Sequence, residues 1–421
     1  MKPTELGRLL GDFRLLVILF VVFRLVLYLA YEPVLQQTGE RGIGTGGDRL
    51  YHYALTVQAD DNLYPFRDWW SEFPPLWYLT TTSVYVLLGD SANYTNWSLV
   101  LGMIVLASEV GVLMMLRQIG TRLHGAATGM ALAWIYALLA LPAVFMWWNF
   151  DTLVTFALLL GVWLLLCQQD WRAVLVIAIG ALTKFVPFLV FGAVIRFFTP
   201  QRAVKVIGVS LGVFALAYLP LFIINSDFAL VSLTAQFGKP SYQTVWAIID
   251  GNTTTGNFGT IESHLTVEGV NDGVGDRNPP VIPSWVRLGI AGVIGLVVLL
   301  RTRRTDELGF VAFVGITLVI FYLQSQGWSP QWLTQIIVLL LLVFPTRNGV
   351  LVALLLSALA FLEYPFIFLR TGDGIIDPDG QYYMAWVLVV ALRTLTLVGV
   401  ALAFYRKLIQ QPNPTLIITK S

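Results

Sequence analysis

The residue best placed to do chemistry is an acid, Asp48, which follows the glycine-rich run GIGTGG at 42–47, beyond a long apolar stretch. A carboxylate there could take a proton from a hydroxyl group. It could equally cap a helix that begins at Arg49, and the residues alone leave both readings open. The glycine run is not a phosphate loop, because no apolar strand leads into it and no Lys-Ser/Thr pair follows. Asp48 and His52 stand four apart, a spacing that could join them on one helix face as a relay or a metal pair. From 46 to 79 the chain reads GGDRLYHYALTVQADDNLYPFRDWWSEFPPLWYL, which interleaves acids such as Asp48 and Glu72 with Tyr64, Trp69, Trp70 and Trp77. Ring faces suit the apolar C–H surface of a sugar, and carboxylates accept from its hydroxyls. The same tryptophans would be ordinary in an interfacial aromatic belt.

Charged side chains also fall inside apolar runs: Arg24, Glu109, Asp151, Lys184, Arg287, Glu363 and Arg393. Such groups are costly in a bilayer and face a partner or a cavity. Glu109 and Arg393, nearest mid-span, read as members of structural pairs. Asp151 and Glu363 fall at outer ends of expected helices, and Lys184 sits where Pro187 interrupts an apolar stretch. These three are expected on one outward-facing cavity.

The elements that must position these groups are membrane helices. Of 421 residues, 57% are hydrophobic and 12% charged, with a net charge of +1, whereas a soluble domain carries about 25% charged residues. The charge balance excludes a nucleic-acid binder, which needs a dense cationic footprint. The single cysteine, Cys167, excludes an internal disulfide framework, and His52, His124 and His264 have no metal-ligand spacing. Apolar runs long enough to span recur at 13–31, 97–116, 126–145, 151–167, 203–224, 284–300, 306–324, 332–345, 348–369 and 382–405. The stretches 73–89 and 173–198 are read as an interfacial or re-entrant helix and a hairpin. The expected fold is all-α, a single polytopic membrane domain over 1–421 with about 10–13 transmembrane helices. With both chain ends in the cytoplasm, the loops holding Arg117, Arg122, Arg202, Arg303 and Arg304 face inward, and acid-rich loops face outward. The first apolar run is then a membrane helix rather than a cleaved signal. The first outer loop covers 32–96. The second, 225–283, is rich in Gly, Asn and Thr and reads as turns and mobile chain. No internal repeat is visible, which weighs against a transporter.

The order of these features resembles the type-C glycosyltransferase (GT-C) superfamily. Within it, the likeness is to bacterial alpha-mannosyltransferase-like integral membrane proteins and GPI mannosyltransferase catalytic subunits. The matching elements are Asp48 after the first helix, Tyr64-Pro65, Phe73-Pro74-Pro75-Leu76, Asn149-Phe150-Asp151, Thr183-Lys184-Phe185-Val186-Pro187 and Ser329-Pro330-Gln331-Trp332. The resemblance implies a cell-membrane enzyme of the envelope that moves a hexose, mannose foremost, from a polyprenyl-phosphate sugar to an extracytoplasmic glycan, glycolipid or protein hydroxyl, with inversion. It implies Asp48 as base, and Lys184 with Arg49 or Arg67 at the donor phosphate. His52, Tyr64, Glu72, Asp151, Gln331 and Trp332 would form the sugar and acceptor pocket. No cofactor is indicated. Several relatives carry an Asp-x-Asp pair, but here Arg49 and Leu50 follow Asp48, so no metal site is assigned unless Asp60-Asp61 substitutes. Outside this resemblance, a transporter or lipid flippase and a non-catalytic subunit of an envelope-glycan assembly stay open. Glu262, His264 and Glu268 in the second outer loop are the expected acceptor contacts.

Overall fold

The computed structural model describes residues 5–30, 47–139, 149–256, 259–272, 277–371 and 376–411. The glycine run before Asp48 at 42–46 and the end of the 126–145 span lie outside the described residues. A short helix α1 (Glu5–Gly11) leads into α2 (Phe13–Ala30). The first outer segment holds α3 (Gly47–Thr56) and α4 (Pro75–Leu88). Pro75 starts α4 from its first turn, where the missing N–H costs nothing. Then follow α5 (Tyr94–His124), α6 (Ala126–Leu138), α7 (Asp151–Leu166), α8 (Asp170–Ala181), α9 (Val190–Phe197) and α10 (Pro200–Ile224). The second outer segment contributes α11 (Ser226–Gly238) and α12 (Val245–Asp250). The chain closes with α13 (Ser284–Arg301), α14 (Glu307–Gln324), α15 (Leu333–Val343), α16 (Arg347–Phe361) and α17 (Tyr383–Ile409).

Among the described residues, seven helices are long and apolar enough to cross a bilayer, and shorter apolar helices lie between them. The protein is a polytopic all-α membrane protein. Side-chain caps set many of the starts. Asn93 accepts from Asn96 N at α5, Thr199 from Arg202 N at α10, and Asp306 from Gly309 N at α14. Every residue of α15 is buried, with α5, α6, α7, α14 and α16 packed around it. Lipid-facing helices lie at the edge, as the exposed Leu288, Ile290, Val293 and Leu300 of α13 show. α5 and α6 meet through glycine: a Cβ on Gly129 would lie 2.5 Å from the Arg117 carbonyl and 2.6 Å from Thr121 N. Small residues permit such close backbone approach where lipid supplies no hydrophobic drive.

The central helices are short. α7 has 16 residues, α8 has 12 and α15 has 11. At about 1.5 Å per residue, none covers the roughly 30 Å of a hydrocarbon core. Their ends therefore stop inside the protein, and the polar residues at those ends line the space left over.

The second outer segment forms helices before its Gly/Asn/Thr-rich stretch, and the described part of that stretch, 251–256, is turn and irregular chain. Asn225 caps α11 by accepting from Asp227 N and Phe228 N, and Thr244 caps α12 by accepting from Ala247 N. Two intramembrane pairs also form. Arg24 bonds Glu109 at 3.4 Å with both side chains buried, and Arg393 pairs with Glu363 while donating to the Gln243 carbonyl. Glu363 is therefore not on the cavity, contrary to expectation. Its neighbour Tyr364 takes that place.

Candidate active site

A cavity of about 1060 Å³ opens above the short helices. Its wall collects Asp48 from the first turn of α3, Asp151 from the start of α7, Lys184 from the break after α8, and Gln331 and Trp332 from the turn before α15. Glu72 joins them from the bend that leads into α4. A drug-sized site occupies about 300–1,000 Å³, so this space can admit two reactants.

Asp48 is exposed, and what it faces is the cavity. Gln331 Nε2 donates to its Oδ2 at 3.1 Å, fixing the carboxylate. Protein surrounds it closely enough to push its carboxyl up to about 7. Glu72 and Asp151 reinforce the rise, and Lys184 and Lys239 oppose it. Opposite lies an ion pair: Lys184 Nζ reaches Asp151 Oδ1 at 3.0 Å and Oδ2 at 3.3 Å. Asp151 is held further by Gln335 Nε2 at 3.1 Å, and Asn149 Oδ1 accepts from its backbone N–H. The ammonium also lies over the rings of Phe73, Phe150 and Trp332, with centroids 5.0 to 5.7 Å away. Glu72 accepts from Lys239 at 3.0 Å. Burial would raise the Glu72 carboxyl, but Lys239, by its charge and its hydrogen bond, holds it below its usual range.

Other expected site residues point elsewhere. Arg49 is buried and donates to the Ser98 carbonyl at 3.1 Å, on the α5 side of α3. Arg67 is exposed, pairs with Asp68 at 2.6 Å and covers the Tyr64 ring. Neither arginine lines the cavity, and neither does Tyr64. His52 is a core residue. Trp77 Nε1 can only donate, so His52 Nδ1 accepts at 3.1 Å, and burial lowers the imidazole pKa to about 3. Trp69, Trp70 and Trp77 are all buried and off the cavity, serving neither as a belt nor as a sugar platform. Asp60 accepts from Tyr85 at 2.8 Å, also away from the cavity.

His264, expected at an acceptor contact, instead ties the two outer segments together. Its ring stacks on Trp70 at 4.0 Å, and Nδ1 donates to the Trp70 carbonyl at 2.7 Å. Nε2 therefore accepts, and it does so from the Tyr51 hydroxyl. Burial lowers its pKa even though the Trp70 carbonyl works the other way, so the lock is made by a neutral ring. His264→Ala is expected to speed amide exchange across 259–272 while α14 and α15 stay protected. Unchanged exchange in that segment would show that the stack carries no weight. Glu262, beside it, does line the cavity, whereas Glu268 does not.

No protein-family model matches the chain, and no curated protein matches it. Among solved structures, it is similar to the crystal structure of the Archaeoglobus fulgidus oligosaccharyltransferase in the apo form. The alignment covers 93% of this chain and 55% of that one, at 13% identity and a TM-score of 0.40. The chain thus spans little more than half the length of that protein, and at this identity and score the likeness concerns neither activity nor substrate.

Proposed function

We propose that the protein is a membrane glycosyltransferase that moves a hexose, mannose foremost, from a polyprenyl-phosphate sugar to an acceptor hydroxyl. The observation that carries this reading is the convergence of Asp48, Asp151, Lys184, Gln331 and Trp332, remote in sequence, on one cavity among membrane helices. The acceptor is a glycan, glycolipid or protein outside the cytoplasm, with both chain ends inside. In this scheme the acceptor oxygen attacks the anomeric carbon and its proton passes to the Asp48 carboxylate. The bond from that carbon to the phosphate oxygen breaks, and the electron pair leaves on the polyprenyl phosphate. Direct displacement inverts the anomeric centre. Gln331 orients the base, and Asp151 with Trp332 shapes the sugar pocket. A donor carried by lipid suits a site without access to nucleotide sugars.

Intramembrane charges such as Arg24, Glu109 and Arg393 would be the motive for a transporter or flippase, and their pairing within the fold removes it. Purified protein in nanodiscs, given polyprenyl-phosphate mannose or glucose labelled in the sugar and a membrane lipid extract, is expected to yield a labelled product with inverted configuration. Solute or lipid flux without any labelled product would overturn the proposal.

A further inference from the structure

Among the described residues, three cationic side chains stand on the cavity wall: Lys184, Lys239 and Arg287. Lys184 is neutralised by Asp151 and Lys239 by Glu72. Arg287, in the first turn of α13, is only 3% exposed and has no carboxylate within ion-pair distance among the described residues. Its Nη2 donates to Ser284 Oγ at 2.8 Å, and its guanidinium lies 5.4 Å from the Trp246 ring. Nε and Nη1 have no hydrogen-bond partner among the described residues. The nearby acid Asp250 is committed elsewhere, accepting from Ser241 at 2.6 Å and from Val281 N at 2.7 Å. A buried guanidinium with two idle nitrogens is costly unless an anion completes it.

The cavity wall beside Arg287 is apolar. Trp285 and Leu288 of α13 and Phe237 of α11 line the cavity, and all three are exposed. An anion that reaches Arg287 with an isoprenoid chain attached would find that chain a greasy path outward. The remaining wall is unfavourable to further negative charge, because Asp48 and Glu262 line it without a cationic partner among the described residues.

We propose that Arg287 is the donor-phosphate site of this cavity and selects a carrier whose single phosphate bears one negative charge over a carrier with a diphosphate. This rests on the glycosyltransferase reading and assigns it a residue that neither Arg49 nor Arg67 can replace. One phosphate meets the one cavity cation that no carboxylate pairs among the described residues. A second would lie among carboxylates with no cation left for it. The prenyl chain leaves between Phe237 and the Trp285 and Leu288 face.

The test uses the full chain in nanodiscs with a polyprenyl-phosphate hexose, a monophosphate whose diester bears one negative charge, the matching polyprenyl-diphosphate hexose, the uncharged prenol and inorganic phosphate, each titrated by calorimetry. The monophosphate is expected to bind about tenfold tighter than the diphosphate. Arg287→Gln should weaken the monophosphate by about ten- to a hundredfold while leaving the prenol unchanged, with Arg287→Lys in between. A monophosphate bearing a photoreactive group near the head of its tail should label peptides containing Phe237 or Trp285 in the unaltered protein, which needs no variant to fold. Equal monophosphate affinity in folded Arg287→Gln, or labelling confined to other helices, overturns the inference and leaves the transferase reading standing. Preference for the diphosphate overturns the selectivity, and inorganic phosphate binding as tightly as the lipid overturns the carrier. Wild-type protein that binds neither lipid phosphate sinks the transferase reading as well.

Discussion

Asp48→Asn is expected to lower sugar transfer by about 10²–10⁴-fold, the range that a positioned general base supplies, while the protein remains folded and inserted. The amide keeps the size of the carboxyl group, and Gln331 can still donate to its oxygen. Only the proton acceptor is lost. Turnover in nanodiscs, with gel filtration and thermal unfolding as controls, checks it, and a variant that turned over at the wild-type rate would remove Asp48 from the chemistry. A pH profile gives independent access to the same group. The carboxyl is pushed up to about 7 by its enclosed position, then by Glu72 and Asp151, with Lys184 and Lys239 acting in the opposite sense. A base works deprotonated, so the rate should fall as pH drops through about 7 and level off above it. Glu72→Gln removes a negative neighbour. Its loss favours the Asp48 carboxylate, so the midpoint should move to lower pH.

The membrane helices were legible because lipid demands long apolar runs, and α2, α5, α10, α13, α14 and α17 begin or end within a few residues of the expected spans. Much of the cavity was legible too, since polar residues at the ends of short apolar helices have nowhere else to face. Asp151, Lys184 and Gln331 sit at such ends. Arg49 was not legible: successive residues on a helix point about 100° apart, so when Asp48 faces the cavity Arg49 turns toward Ser98. His52 follows a turn later, where Trp77, Tyr78 and Phe150 enclose it. Trp69 and Trp70 show the limit of composition, because aromatics beside acids signal a sugar only if they reach open space, and these are buried. Arg287 was visible as a charge in an apolar run. That it lacks a carboxylate partner is a tertiary fact, invisible until α13 is set against α11 and α12.

Lys184→Met should destabilise the protein more than any other single change at the cavity, by about 3–5 kcal/mol, because it strands a buried carboxylate. The Asp151 side chain is 2% exposed, and after the substitution only Gln335, among the described residues, would still donate to it. Asp151→Asn is expected to cost less. It leaves Lys184 facing the rings of Phe73, Phe150 and Trp332, and a partly desolvated ammonium gains about 0.5–2 kcal/mol from such a face. The double variant should be more stable than Lys184→Met alone, since no charge is then left without its partner. Denaturant unfolding in detergent of the wild type, both single variants and the double variant closes the cycle. Additive losses would mean that the two groups do not interact, although their atoms lie 3.0 Å apart. Coupling with transfer retained in the double variant would make the pair a structural strut of the cavity. Coupling with transfer lost would place its charge in the reaction, because the double variant restores electrical balance without restoring the ammonium.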